Sequence, residues 1–323
     1  MDNVSIIIVN WNGKKYLSEC LDGLRQQIYQ PQHITLIDNC SSDGSVDFVV
    51  RNYPEVNTIS LPKNLGFSTA NNIVLRDTQT EYVGLLNNDV VAHPLWLKNL
   101  LDALKTHPVA GFAASKMVFY DHPEIIDRAG DGYTKAGTGL LRGRGKPEYS
   151  YNRKEWVFGA CAGASLYRTC MLDDIGLFDE DFFLLFEDVD LSFRAQLRGY
   201  KCLYVPEAIV YHRASSSIVY DSPLSVYYGH RNLEWVYIKN MPSGMIVKTI
   251  FPHLIYDIAA FLYFSINGRI KHFIKSKWDA LKGIKKMFKK RRKIQKNKKV
   301  DDCYIWDLLE KELFLPRLKR RLW

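Results

Sequence analysis

The chain has 323 residues, 47% hydrophobic and 24% charged, a globular composition that excludes a disordered, collagen-like or disulfide-stapled protein. Its net charge of +9 is concentrated: between Arg269 and Lys299 fifteen basic residues accompany one acid, Asp279, and the remaining 292 residues sum to −5. A nucleic-acid-coating fold is thereby excluded for the first 240 residues, and no nucleic-acid partner is expected.

Val4–Val9 reads as a strand buried on both faces, followed by polar Asn10-Trp11-Asn12-Gly13 and a helix near Lys15–Gln27. His33–Ile37 is the next strand, closed by Asp38-Asn39 and the turn cluster Ser41-Ser42-Asp43-Gly44-Ser45. A helix over Val46–Asn52, a strand at Thr58–Leu61, a helix over Thr69–Asp77 and a buried strand at Tyr82–Leu86 follow, the last running into Asn87-Asn88-Asp89. This alternation predicts a mostly parallel sheet with helices on both faces, and such sheets bind ligands at the carboxyl ends of their strands. The polar clusters after Val9, Ile37 and Leu86 all fall at such ends.

Residues 111–158 are Gly-rich without clear periodicity and are expected to form loops and short strands. Ala162–Tyr167 then reads as a strand, Arg168–Ile175 as a helix, and Phe186–Leu197 as a helix closed by Gly199 in the left-handed conformation. Two strands, Cys202–Val205 and Ala208–Tyr211, end at His212. Residues 245–266 are apolar but interrupted by Lys248, Pro252, His253 and Asp257, which fits a monotopic or buried helix as well as a span. Beyond it Ile270, Phe273, Ile274, Trp278, Leu281, Ile284, Met287 and Phe288 recur at helical spacing among lysines. That is a basic amphipathic helix, the composition that lies in an anionic membrane interface. A solvated face packed on the core and an RNA-binding tail are the alternatives.

Three groups of residues bear chemistry. Asp89, with Asn87 and Asn88, is placed to hold a divalent cation or simply to form an Asx turn. Glu187, Asp188 and Asp190 put three carboxylates on one helix turn, where acids favour the dipole but also raise one another's pKa toward that of a general base. His212 reads as a metal ligand or a satisfied core histidine.

Taken in order, Val4–Asn12, Ile37–Ser45, Asn64-Leu65-Gly66-Phe67, Leu85–Asp89, Gly176–Glu180, Phe186–Asp190 and His212 resemble the inverting family 2 glycosyltransferases, and within them the rhamnosyltransferase-like branch. The resemblance implies an α/β GT-A fold, a Rossmann-like mostly parallel sheet flanked by helices, here with a C-terminal basic amphipathic helical extension. It implies a transferase domain over 1–240, divided into a nucleotide-sugar half (1–110) and an acceptor half (111–240); the helical, membrane-associating extension expected over 241–323 lies beyond the resemblance and rests on the basic amphipathic pattern alone. Trp11 then stacks on the base, Asp38 accepts a pyrimidine N3–H, and Val9, Asn12, Asn64, Gly66, Asn87 and Asn88 complete the donor site. Asp89 and His212 hold Mg2+ or Mn2+ with the donor diphosphate, Asp188 is the general base beside Glu187, and Arg231 of the Tyr227–Asn232 motif contacts phosphate. Many relatives carry acids where this chain has Asn87 and Asn88, so one carboxylate implies weak metal binding without donor.

The expected activity is inverting transfer of a sugar from a dTDP- or UDP-sugar, dTDP-rhamnose among them, to a cell-surface glycan or polyprenyl-linked acceptor. The scattered cysteines, Cys20, Cys40, Cys161, Cys170, Cys202 and Cys303, read as free thiols in a reducing compartment, and Met1-Asp2-Asn3 lacks the basic start of a signal peptide. A cytoplasmic protein peripheral on the inner face of the plasma membrane, seated through residues 269–299, is expected. A nucleotidyltransferase would need a Gly- and Lys/Arg-rich phosphate loop after the first strand, which Asn10–Lys15 does not supply. A non-catalytic membrane-recruited scaffold would not require Asp38, Asp89 and Asp188.

Overall fold

The computed structural model describes residues 3–213 and 221–311; the last residues of the expected extension, 312–323, lie outside them. The first half alternates β1 (Val4–Asn10), α1 (Lys14–Arg25), β2 (His33–Asp38), α2 (Ser45–Asn52), β3 (Asn57–Ser60), α3 (Gly66–Leu75) and β4 (Tyr82–Asn87). Next come β5 (Val90–Ala92), α4 (Trp96–Thr106), β6 (Ala110–Phe119), β7 (Ile126–Ala129), β8 (Asp131–Tyr133), β9 (Gly139–Leu141) and β10 (Glu155–Val157). Then come β11 (Ala164–Arg168), α5 (Thr169–Ile175), α6 (Glu187–Leu197) and β12 (Lys201–His212). Helices α7 (Pro223–Asn240), α8 (Ser243–Ile266), α9 (Ile270–Lys282), α10 (Ile284–Lys296) and α11 (Asp302–Leu308) follow.

One ten-stranded sheet runs β10-β12-β6-β11-β4-β1-β2-β3, with β5 on β12 and β7 on β6. β1 pairs in parallel with β2 and β4, and β6 with β12, while β11 runs antiparallel between β4 and β6. Helices cover both faces, as the alternation predicts: Leu17, Leu21, Leu24, Trp96 and Leu100 fill one core, and Leu75, Phe112, Met171, Leu191 and Tyr204 the other. A third core joins Tyr133, Phe158 and Phe193 to Trp235, Met287 and Ile305, so the C-terminal helices share packing with α6.

Three expectations need correction. Residues 111–158 open with a ten-residue strand, β6, buried along nearly all its length; its Gly111, Ala113, Ala114 and Ser115 are too small to give an apolar run, and a strand covered on both faces does not alternate. The two strands expected before His212 are one, β12, whose pairing with β6 jumps from Val205–Ser115 to Ile209–Lys116 across Pro206, Glu207 and Ala208, a bulge that Pro206, without an N–H, suits.

The basic amphipathic helix of 269–299 is two helices, broken at Gly283, where a Cβ would lie 2.7 Å from the Trp235 ring. Part of its apolar stripe is not free: Phe273, Ala280 and Met287 are buried. Several of its cations are likewise internal. Lys277 binds Glu234 and Asp257, Lys290 binds Asp179 and Asp181, and Arg291 donates to the carbonyls of Ile238 and Met241.

Candidate active site

Parallel pairing aligns the strand ends: Asn10 is level with Asp38, and Val9 with both Ile37 and Asn87. Asn10, fully buried, donates to Asp38 Oδ1 at 2.8 Å and to Ser41 Oγ at 3.2 Å, and accepts from Asn88 Nδ2 at 2.7 Å. One amide thus fixes both the Asp38 carboxylate and the Asn88 side chain. Asp38 also accepts from the Ser41 amide. Asn12, at φ +51°, accepts from the Ser42 amide, and its own N–H donates to Ser41 Oγ. These bonds tie the loop after β1 to the turn after β2 and leave Trp11 between them 45% exposed, a flat apolar ring open to a ligand.

Asn64 and Gly66 border the same edge. Asn64 Oδ1 accepts from the Gly66 amide, and Asn39 Oδ1 from that of Leu65. Gly66 has φ +82°, and a Cβ there would lie 2.5 Å from the Phe183 carbonyl oxygen. It therefore admits the loop before α6 to the start of α3. Asn87 lies against Gly163, its amide donating to the Gly163 carbonyl.

β5 explains how Asp89 meets His212. Val90 pairs with His212, and the Arg213 amide donates to the Asp89 carbonyl at 3.1 Å. Asp89 Oδ1 is buried with no hydrogen-bond partner and lies 3.6 Å from His212 Nε2, an ion-pair distance outside hydrogen-bond reach. His212 Nδ1 is 2.8 Å from Asp127 Oδ2, and Asp127 also binds Arg144. Burial lowers the imidazole's pKa, but Asp127 and Asp89 outweigh it and raise the pKa to about 9. An orphaned carboxylate oxygen beside an imidazole nitrogen, with the other nitrogen oriented by a second carboxylate, is a donor set that fits Mg2+ or Mn2+ provided the arriving cation displaces the imidazole's second proton.

At the start of α6, Glu187 is buried, with Oε2 unpartnered. Burial, and then the neighbouring Asp188, push its carboxyl up to about 8, so it is protonated at neutral pH. Asp188 is more open. Its Oδ1 accepts from the Val189 amide, and its Oδ2 lies 3.9 Å from Arg128 Nη1. The same guanidinium sits 3.3 Å from Asp131, whose carboxyl burial raises, against the pull of Arg128, to about 7. Asp131, Cys161 and Asp188 are close enough to surround a cation. Arg128 already supplies positive charge there, and burial pushes the Cys161 thiol up, which makes it a poor metal ligand.

Asp190, the third acid, has a different task. Fully buried, it meets Arg194 at 2.9 Å, Lys239 at 2.7 Å and Asn240 Nδ2 at 2.7 Å, a compensated ion network that fastens α6 to α7. Arg231, expected to meet phosphate, instead spends Nε on Asn232 Oδ1 and Nη2 on the carbonyls of Asp181 and Phe182, the capping alternative to a ligand contact.

Two residues missed in the sequence join the halves. Asp127 and Arg128, adjacent on β7, bind His212 and Asp188 respectively. An unbroken line of contacts and chain neighbours therefore runs Asp38–Asn10–Asn88–Asp89–His212–Asp127–Arg128–Asp188. The only signal for the β7 pair was an acid and a base enclosed by Ile125-Ile126 and Ala129.

A mixed sheet with helices on both faces, carrying carboxylates at its strand ends, is the GT-A arrangement of nucleotide-sugar enzymes. Residues 5–176 match glycosyl transferase family 2, and the chain belongs to that family; it is a glycosyltransferase. It is 27% identical over 276 residues to an N-acetylglucosaminyl-diphospho-decaprenol L-rhamnosyltransferase of Mycobacterium tuberculosis, covering 75% of this chain and 86% of that one. Among solved structures, S. aureus TarS 1-349 with UDP-GlcNAc aligns at TM-score 0.57 and 18% identity, over 91% of this chain and 88% of that one. The Pyrobaculum calidifontis mannosyltransferase PcManGT with GDP-Man and Mn2+ aligns at TM-score 0.54 and 14% identity, over 95% and 85%.

Proposed function

We propose that this glycosyltransferase moves a sugar, with inversion, from a dTDP- or UDP-sugar, dTDP-rhamnose first among them, to a hydroxyl of a polyprenyl-linked or cell-surface glycan. The line of contacts from Asp38 to Asp188 carries this reading, because it puts base recognition, diphosphate binding and a proton acceptor along one edge. Trp11 and Asp38 hold the pyrimidine; Val9, Asn12, Asn64 and Asn87 shape the surrounding wall, while Gly66 and Asn88 hold it in place. Asp89 and His212 would hold a divalent ion together with the donor diphosphate, and that ion would supply electrostatic stabilisation of the leaving group. Asp188 takes the proton of the acceptor hydroxyl as its oxygen attacks the anomeric carbon, and the bond to the diphosphate breaks with its electron pair leaving on the nucleotide. Glu187, buried and with its carboxyl pushed up, stands beside Asp188, the less enclosed of the two. The acceptor reading is supported by the name of the mycobacterial relative, a transferase to a diphospho-decaprenol-linked sugar.

The test is thermal stability with UDP, dTDP, GDP and CDP, each with Mn2+ and with EDTA. A ligand at about 100 times its Kd adds about 2.7 kcal/mol, a rise of several degrees for a chain of this size. Metal-dependent stabilisation by UDP or dTDP is expected, and indifference to all four nucleotides would defeat the reading. In the same assay Trp11→Ala weakens the bound nucleotide by about 1–3 kcal/mol, the worth of a base–aromatic stack; unaltered affinity removes Trp11 from the site.

The membrane seat belongs to the same proposal, with its surface redrawn. α8 is long and apolar enough to cross a bilayer by length and composition, but Thr249, His253 and Asp257 turn toward the protein while Lys248 is exposed. His253 binds Glu234 and the Ala136 carbonyl, and Asp257 binds Lys277. Phe251, Leu254, Ile258, Leu262 and Ile266 face outward, the reverse of a soluble helix. Ile274, Trp278 and Leu281 add an exposed face on α9, and exposed Arg269, Lys271 and Lys275 accompany them. Apolar residues with flanking cations fit a helix lying in an anionic interface. Full-length chain is expected to sediment with phosphatidylglycerol-rich vesicles, and Phe251→Ser with Ile258→Ser to weaken this about tenfold or more. Equal sedimentation of the double variant, or none of the wild type, would remove α8 from the interface.

A further inference from the structure

The four residues before Glu187 are an improbable piece of chain. Phe183, Leu185 and Phe186 have φ of 63°, 65° and 70°, and Phe183, with ψ −62°, forms the strained kind of γ-turn, the Leu184 amide donating to the Phe182 carbonyl at 2.7 Å. Bulky residues hold such conformations only where their surroundings over-determine them.

Here the surroundings do so from two sides. The Phe183 carbonyl accepts from the Phe67 amide at 2.6 Å, in the space that Gly66 leaves open. From α7, Asn232 Nδ2 reaches the carbonyls of Phe182, Leu184 and Leu185 at 2.9, 2.8 and 2.7 Å. Arg231 Nε holds Asn232 Oδ1 at 2.9 Å, which fixes the orientation of the amide so that its hydrogens point at the loop. Arg231 Nη2 adds the carbonyls of Asp181 and Phe182. Three converging carbonyls and one oriented amide leave the turn little freedom, and its next residues are Glu187 and Asp188.

We infer that Arg231 and Asn232 are positioning residues: they lock the 182–186 turn between α7 and the start of α3, and thereby set where the Asp188 carboxylate stands relative to the donor edge at Asn64–Phe67. This rests on Asp188 being the base. A base displaced by about 1 Å loses about 100-fold in rate, while Trp11, Asp38 and Asp89, carried by β1, β2 and β4 and the loops after them, make no contact with the turn and keep their hold on the nucleotide.

The experiment uses the full chain. Amide hydrogen exchange is followed at 182–188, UDP–Mn2+ affinity by titration, and turnover with a dTDP- or UDP-sugar on a polyprenyl-diphosphate N-acetylglucosamine acceptor. Asn232→Ala is expected to speed exchange at 182–188 about tenfold and lower kcat about 100-fold, with donor KM and UDP–Mn2+ affinity within about twofold. Arg231→Lys keeps the cation but loses the Nε that orients Asn232, and falls between wild type and Asn232→Ala; it carries the same test if Asn232→Ala does not fold. Fast loop exchange with full turnover overturns the inference. So does exchange that quickens throughout the chain with kcat and UDP affinity falling together, the mark of a general packing role. If Asp188→Asn keeps its turnover, the base assignment fails by itself, and exchange at 182–188 still reads whether the lock exists.

Discussion

Asp188→Asn is expected to lower turnover by roughly 100- to 10,000-fold, the usual worth of a positioned general base, with UDP–Mn2+ affinity unchanged. The amide keeps the size of the side chain and loses its capacity to take a proton. No neighbour replaces it. Glu187, pushed up to about 8 by burial and by Asp188, has its Oε2 enclosed, and Asp131 is buried against Arg128. Single-turnover rates and nucleotide titration on the same preparation separate the outcomes. Loss of turnover with intact binding assigns the base, and loss of both marks Asp188 as a structural residue.

The second large effect is expected at Asp89. Its Oδ1 is buried without a hydrogen-bond partner beside His212, so Asp89→Ala deletes the one carboxylate of the proposed metal set. UDP binding is expected to lose its dependence on Mn2+, leaving the affinity that Trp11 and Asp38 provide, and kcat to fall by about 100-fold or more as the leaving-group charge goes unmet. Titrations in Mn2+ and in EDTA give the answer. An unchanged metal response removes Asp89 from the ion's coordination.

β1, β2 and β4 were legible because each is an apolar run ending in a polar cluster, after Val9, Ile37 and Leu86, and such ends need no partner to be recognised. β6 was hidden by its own small residues, Gly111, Ala113, Ala114 and Ser115, which bury without looking apolar. Asp127 was out of reach for another reason: its partner His212 is 85 residues away, and its apolar neighbours Ile125, Ile126 and Ala129 are the only local sign that it is not a surface acid. The C-terminal helices show the limit of periodicity. Spacing placed Phe273, Met287, Trp278 and Phe288 in one apolar pattern, but Phe273 and Met287 pack inside while Trp278 and Phe288 are exposed, because spacing does not say what covers a face. Arg231 was singled out for its motif, but its hold on the Asn232 side chain and on the Asp181 and Phe182 carbonyls is something no sequence pattern displays.

Asp190 and Asp188 stand two positions apart in one acidic run, and a genetic screen would treat them as twins. Asp190 compensates Lys239 and Arg194 inside the protein. Deleting one partner of such a buried pair costs about 3–5 kcal/mol, a large share of the roughly 5–15 kcal/mol that holds a domain together. On the proposed assignment, variants lacking either acid would look equally inactive, one for want of a proton acceptor and the other for want of a folded chain. Counting required acids by activity alone would therefore credit this enzyme with one catalytic carboxylate too many, and only the amount of intact protein per cell tells the two defects apart.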